Sequence, residues 1–200
     1  ILNLYNKMSQ FNNYPTLDII MGPMYSGKST ELIRRLSIFS EMGLKVLYVN
    51  SKIDNRSNEN FSTHSPVVQS LGKIVSLKVN DLSELSDDYG SYDVVGIDEA
   101  QFFNDLQGHV LKMVECYHNK VIVAGLNVDS NREAFGDIIS LVKYCDDITK
   151  LNPCCQWCKD KFNKLIPAIF TKRLTKDNER ILVGGKNEYI PVCRNCYLEK

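Results

Sequence analysis

Residues 16–29, TLDIIMGPMYSGKS, run a short apolar stretch directly into the pattern Gly-x-x-x-x-Gly-Lys-Ser. Few sequence features restrict a fold as tightly, because the pattern works only between a buried strand and a helix N-terminus. Gly22 and Gly27 let the backbone wrap an anion with its N–H groups turned inward. The helix that begins at the loop adds partial positive charge at the same point. Lys28 is placed to reach terminal phosphates, and the Ser29 hydroxyl to hold Mg²⁺. Together with Ser26 and Thr30 these are the candidate nucleotide-binding residues. The bland alternative, a chance Gly-Lys-Ser turn capping an ordinary helix, leaves the preceding strand unexplained.

A second apolar run, DVVGIDEAQFF at 93–103, stops at two adjacent carboxylates. Neighbouring side chains on an extended segment point opposite ways, so Asp98 and Glu99 are expected to do different jobs. A phosphate loop needs an acid from a neighbouring strand end to complete a magnesium site. Asp98 is expected there, which leaves Glu99 for proton chemistry. Of Phe102 and Phe103, at least one is expected to be core, while Phe102 is a candidate to cover a planar ligand.

Elsewhere the chain alternates strand and helix signals. Leu32, Leu36 and Phe39 keep a helical spacing from Lys28 to Met42, and Gly43 stops the helix. KVLYVN (45–50), KIVSLKV (73–79), KVIVAGL (120–126) and DITKL read as strands. Helices are expected at 104–119 and after Phe135. This order predicts an α/β protein whose parallel sheet has helices on both faces. Three segments are expected: an N-terminal extension (1–15), the phosphate-loop domain (16–151) and a small C-terminal domain (152–200).

The C-terminal part is organised by cysteine. Cys155-Gln-Trp-Cys158 and Cys193-Arg-Asn-Cys196 are two Cys-x-x-Cys pairs among seven cysteines. Four thiolates so spaced suit tetrahedral Zn²⁺ in a closed structural site. A redox pair is the competitor, though redox motifs come singly and near a helix start. Cys154 competes with Cys155 as first ligand, but only Cys155 gives the two-residue spacing. Cys116 and Cys145 fall in helical stretches and are expected to be buried; His64, His109 and His118 do not cluster with the cysteines.

Composition narrows the function. Lys plus Arg and Asp plus Glu both number 24, so no global field recruits nucleic acid or an anionic membrane. No run approaches a membrane span, and the N-terminal residues lack a signal peptide's apolar core. With reduced thiols, a cytoplasmic location is expected, and the Asn-x-Ser triplets at Asn55 and Asn60 are read as chance. The chain opens on Ile1, with Met8 a possible internal start. DEAQ at 98–101 also suits a nucleic-acid-dependent ATPase, but a helicase needs a second motor domain. A nucleotide sensor with a zinc ribbon is a third reading. Phosphoryl transfer to a small acceptor needs only a phosphate loop, a base and a lid.

GPMYSGKSTELIRR, IDEAQFF, VIVAGL, FTKRL, VGG…Y and VCRNCY, in this order, resemble the zinc-containing thymidine kinases of animals, bacteria and large DNA viruses. The resemblance spans about residues 17–197. It implies that Glu99 is the general base for a nucleoside 5′-hydroxyl, that Asp98 serves Mg²⁺ with ATP, and that Asp54 and Arg56 face the phosphates and the 5′ end. It implies a zinc-anchored, lasso-like loop at 170–189 closing over the nucleoside base. Thr171, Leu182 and Tyr189 would lie nearest the substrate, and Met24, Phe102, Leu126 and Phe135 would line the base pocket. It further implies a homotetramer inhibited by dTTP. After VIVAGL this chain departs from the family pattern: Asn127 and Ser130 stand where Asp and Phe are common.

Overall fold

The structure is a computed structural model that describes residues 14–54, 74–86, 88–175 and 187–199. The apolar run before the phosphate loop forms strand β1 (Thr16–Met21), and Lys28–Glu41 is helix α1. Four further strands follow: β2 (Val46–Ser51), β3 (Ile74–Val79), β4 (Val94–Ile97) and β5 (Lys120–Gly125). Between β4 and β5 lies helix α2 (Leu106–Leu111), continued by a wider π-helical turn over Lys112–Cys116. The helix expected at 104–119 is therefore shorter at both ends and changes pitch midway. The helix after Phe135 is the single turn α3 (Ile138–Leu141), leading to strand β6 (Asp147–Lys150).

These six strands form one parallel sheet in the order β3-β2-β4-β5-β1-β6. Period-two alternation divides the central strands β1, β2, β4 and β5 between two cores, while the edge strand β6 has no buried residue. On one face Leu32, Ile33 and Leu36 of α1 cover Ile20, Val46, Tyr48, Val94 and Ile122. On the other, Leu106, Val110, Met113, Ile138 and Leu141 cover Ile19, Leu47, Val49, Ile97, Val121 and Val123. Helices thus cover both faces, and burial on both explains why the strands read as continuous apolar runs.

The strand order corrects one expectation. β4, which carries Asp98, is not β1's neighbour, because β5 pairs with both. The acid still reaches the phosphate loop, since the connection from β1 to β2 skips two strands and α1 must cross over them. Gly96 lets that crossing be close: a Cβ there would stand 2.5 Å from Leu36 Cδ1.

The C-terminal part adds α4 (Gln156–Phe162), an antiparallel pair of strands β7 (Phe170–Arg173) and β8 (Tyr189–Val192), and α5 (Arg194–Leu198). Its core is the four cysteines 155, 158, 193 and 196 with Ala168, Ile190 and Val192. Two cysteine expectations fail. Cys116 is exposed in the π-helical turn, and Cys145 is only half-buried, its thiol donating to the Val142 carbonyl at 3.2 Å. Among the described residues no helix is long and apolar enough to cross a membrane.

Candidate functional site

The site lies beyond the C-terminal ends of the parallel strands, where open α/β sheets bind ligands. Gly22 is required at the first turn, since any side chain would overlap the Leu151 carbonyl that follows β6. Gly27 takes a left-handed conformation (φ 84°) immediately before α1. The Lys28 ammonium is nearly buried and donates to the Pro23 carbonyl at 3.0 Å, folding back over the loop it must serve. Ser26 Oγ is buried without a hydrogen-bond partner. An orphaned hydroxyl inside a phosphate-loop sequence is what an acceptor-rich phosphate would satisfy.

Asp98 is enclosed here. It is 1% exposed, accepts from Tyr48 Oη at 2.7 Å and from the Glu99 backbone N–H at 2.9 Å, and is hydrogen-bonded to Ser29. Burial first, and repulsion from Glu99 second, push its carboxyl up to about 6 despite those donors. A buried carboxylate touching the phosphate loop's Ser hydroxyl is a fitting pair of ligands for a hard cation such as Mg²⁺.

Glu99 does not follow strand alternation. It leaves β4 in the left-handed region at φ 48°, unusual for a side chain with Cβ, and begins the 3₁₀ turn Ala100–Phe102. Its carboxylate, also buried, accepts from Gln101 Nε2 at 2.6 Å. Gln101 Oε1 in turn accepts from the Leu126 N–H at 2.9 Å, just past the end of β5.

Several of the other expected residues come together. The Phe102 and Phe135 rings meet edge to face at 5.7 Å, while Phe103 is buried in the core. Thr171 of β7 is buried, and its Oγ1 accepts from the Met24 N–H at 3.0 Å, so the C-terminal part touches the phosphate loop directly. Tyr189 pairs opposite Arg173, whose guanidinium donates to the Tyr189 hydroxyl at 2.6 Å. Asp54 is buried beside Asn50, whose amide lies 3.4 Å from its carboxylate. Arg56, Leu182 and the middle of the 170–189 loop lie outside the described residues, as does His64. The divergent stretch after β5 is held to the C-terminal part by Tyr197, which donates to the Ser130 carbonyl at 2.8 Å and stacks against the Arg132 guanidinium. Sequence reasoning missed Tyr48 and Gln101. The available signal was a phenol between the aliphatic residues Leu47 and Val49 of a buried strand, and an amide between the acids and the phenylalanines.

The thiols of Cys155, Cys158, Cys193 and Cys196 all lie within 4.8 Å of one another. Cys158 is 3.8 Å from Cys193 and 3.5 Å from Cys196. Zinc–sulfur bonds of about 2.3 Å in a tetrahedron require sulfurs roughly 3.8 Å apart, so the set fits Zn²⁺. Cys154 is exposed and outside it. Burial opposes ionisation across the cluster and leaves the Cys158 and Cys196 thiols raised, while backbone hydrogen bonds from Cys158 and Cys193 bring the Cys155 thiol down to about 7.

The thymidine kinase family model matches residues 15–197. A thymidine kinase of Amsacta moorei entomopoxvirus is 39% identical over 186 residues, covering 91% of this chain and 97% of that one. One from Oryza sativa subsp. japonica is 35% identical over 194 residues, covering 94% and 68%. One from sheeppox virus (strain KS-1) is 35% identical over 186 residues, covering 92% and 98%. With its phosphate loop, paired acids and four-cysteine cluster, this chain belongs to the thymidine kinase family.

Proposed function

We propose that the protein transfers the γ-phosphate of ATP to the 5′-hydroxyl of thymidine, giving dTMP. The observation that carries this reading is the contact between Ser29 and the buried Asp98, with the buried Glu99 beside it on a left-handed turn out of β4. Gly22, Ser26, Gly27, Lys28 and Thr30 hold the phosphates through backbone N–H groups, hydroxyls and the ammonium. Ser29 and Asp98 hold Mg²⁺, which when bound offsets charge on the transferred phosphoryl group. Glu99 accepts the proton of the nucleoside 5′-hydroxyl as that oxygen attacks phosphorus; the P–O bond to the ADP leaving group breaks. Asp54 and Arg56 flank the phosphates and the 5′ end.

Met24, Phe102, Leu126, Phe135, Thr171 and Tyr189 form the nucleoside pocket in this reading, with Leu182 on the closing loop. Contact of Thr171 with the Met24 N–H, and of Phe102 with Phe135, supports a pocket shared between phosphate loop and C-terminal part. Residues 152–200 serve as a zinc ribbon and substrate domain on the 16–151 nucleotide domain. A cytoplasmic homotetramer inhibited by dTTP, acting without nucleic acid or membrane, completes the proposal. The test is phosphoryl transfer from ATP to a panel of nucleosides by wild type and Glu99→Gln. Thymidine should be the preferred acceptor, and the variant's kcat should fall about 10²–10⁴-fold with ATP binding retained. Near-normal turnover in Glu99→Gln removes the base; ATP hydrolysis stimulated by DNA and indifferent to thymidine overturns the whole reading.

A further inference from the structure

Gln101 makes two buried side-chain hydrogen bonds, one as acceptor and one as donor. One end meets a backbone N–H, that of Leu126 at 2.9 Å, which can only donate. That end must therefore be the carbonyl oxygen, and the amino group must face Glu99, at 2.6 Å from Oε2. The side chain is 4% exposed and sits in space cleared for it by two glycines from separate segments. A Cβ on Gly125 would stand 2.5 Å from Gln101 Oε1, and one on Gly136, itself at φ 61°, 2.6 Å from the Gln101 backbone oxygen. Leu126 directly follows β5, the strand paired with both β1 and β4. Gln101 therefore ties the carboxylate of a residue on a strained turn to the rigid middle of the sheet.

We propose that Gln101 is a positioning residue for phosphoryl transfer: it holds the Glu99 carboxylate in one orientation against the end of β5. The inference rests on the reading of Glu99 as general base, and adds to it the group that aims the base. A carboxylate that lost this contact would still be present but less often aligned, and misplacement of a reacting group by about 1 Å can cost ~10²-fold in rate. The two side-chain partners of Gln101, Glu99 and Leu126, belong neither to the phosphate loop nor to the proposed magnesium ligands, so the loss should appear in kcat and spare KM for ATP.

The experiment is a kinetic cycle of wild type, Gln101→Met, Glu99→Gln and the double variant, with kcat and both KM values measured across pH. Gln101→Met should lower kcat roughly 10- to 100-fold with KM for ATP unchanged. In the Glu99→Gln background the same change should do nothing further, because there is no base left to aim. Equal losses in both backgrounds, or a Gln101→Met kcat within about twofold of wild type, overturn the proposal. Should Gln101→Met not fold, Gln101→Ala takes its place in the same cycle; equal losses in the two Glu99 backgrounds, or a kcat within about twofold of wild type, again overturn the proposal. A fully active Glu99→Gln enzyme is a different failure, since it removes the base itself.

Discussion

Replacing Tyr48 by Phe removes the hydroxyl that donates to Asp98 at the proposed magnesium site. Tyr48 is fully buried in β2, and its ring packs with Leu32 and Leu36, so Phe keeps the packing and deletes only the hydroxyl that donates to Asp98 at 2.7 Å. A hydrogen bond to a charged group is worth about 1.5–3 kcal/mol, and 1.36 kcal/mol moves a pKa by one, so Asp98 should rise by roughly one to two. From about 6 in the native protein it would then lie above neutrality. The sign follows from competition: a proton on Asp98 excludes the cation, so the Mg²⁺ needed for half-maximal rate should increase as pH falls. Against wild type, that requirement should rise roughly 3- to 25-fold at about pH 6.5 and less than about 1.5-fold at about pH 8.5. Linkage gives a second reading. Asp98 lies above its ordinary value of 3.8, so its contribution to stability declines as pH rises from that value to about 6. In Tyr48→Phe the decline should extend to higher pH. Magnesium titrations of the kinase rate at several pH values, with urea unfolding alongside, measure both. A half-saturating Mg²⁺ concentration equal to wild type at every pH refutes the role given to Asp98.

Wild-type protein should contain about one zinc per chain, and Cys193→Ser should lose it. Four-thiolate closure supplies on the order of 10 kcal/mol in zinc-finger peptides, so thymidine binding should be abolished while the phosphate loop still binds nucleotide. Elemental analysis finding no zinc in fully active wild type would refute the assignment. Thr171→Val keeps the shape of the side chain but leaves the Met24 N–H without its acceptor. A part-buried donor left unpaired costs about 1–2 kcal/mol, so the thermal midpoint should drop by roughly 2–8 °C and KM for thymidine should rise; unchanged values would show that this contact is not needed.

Local chemistry made much of the fold legible in the chain. TLDIIM and KVIVAG are apolar because both faces of their strands are covered, and the spacing of Leu32 and Leu36 marks the buried stripe of α1. The cysteine spacing likewise selected Cys155 over Cys154, and the thiols meet as that spacing requires. Such patterns depend on neighbours a few residues away, which sequence records directly. Tertiary structure alone decided the strand order, and with it the route by which α1 crosses β5 to bring Ser29 onto Asp98. It alone turned Glu99 out of the strand and set Gln101 between that carboxylate and Leu126, with Tyr48 on Asp98 from 50 residues away. It also left Cys116 exposed, in the π-helical turn over Lys112–Cys116. No short-range period encodes those contacts: each needs two segments, distant in sequence, to arrive at one place with complementary donors, acceptors and shape.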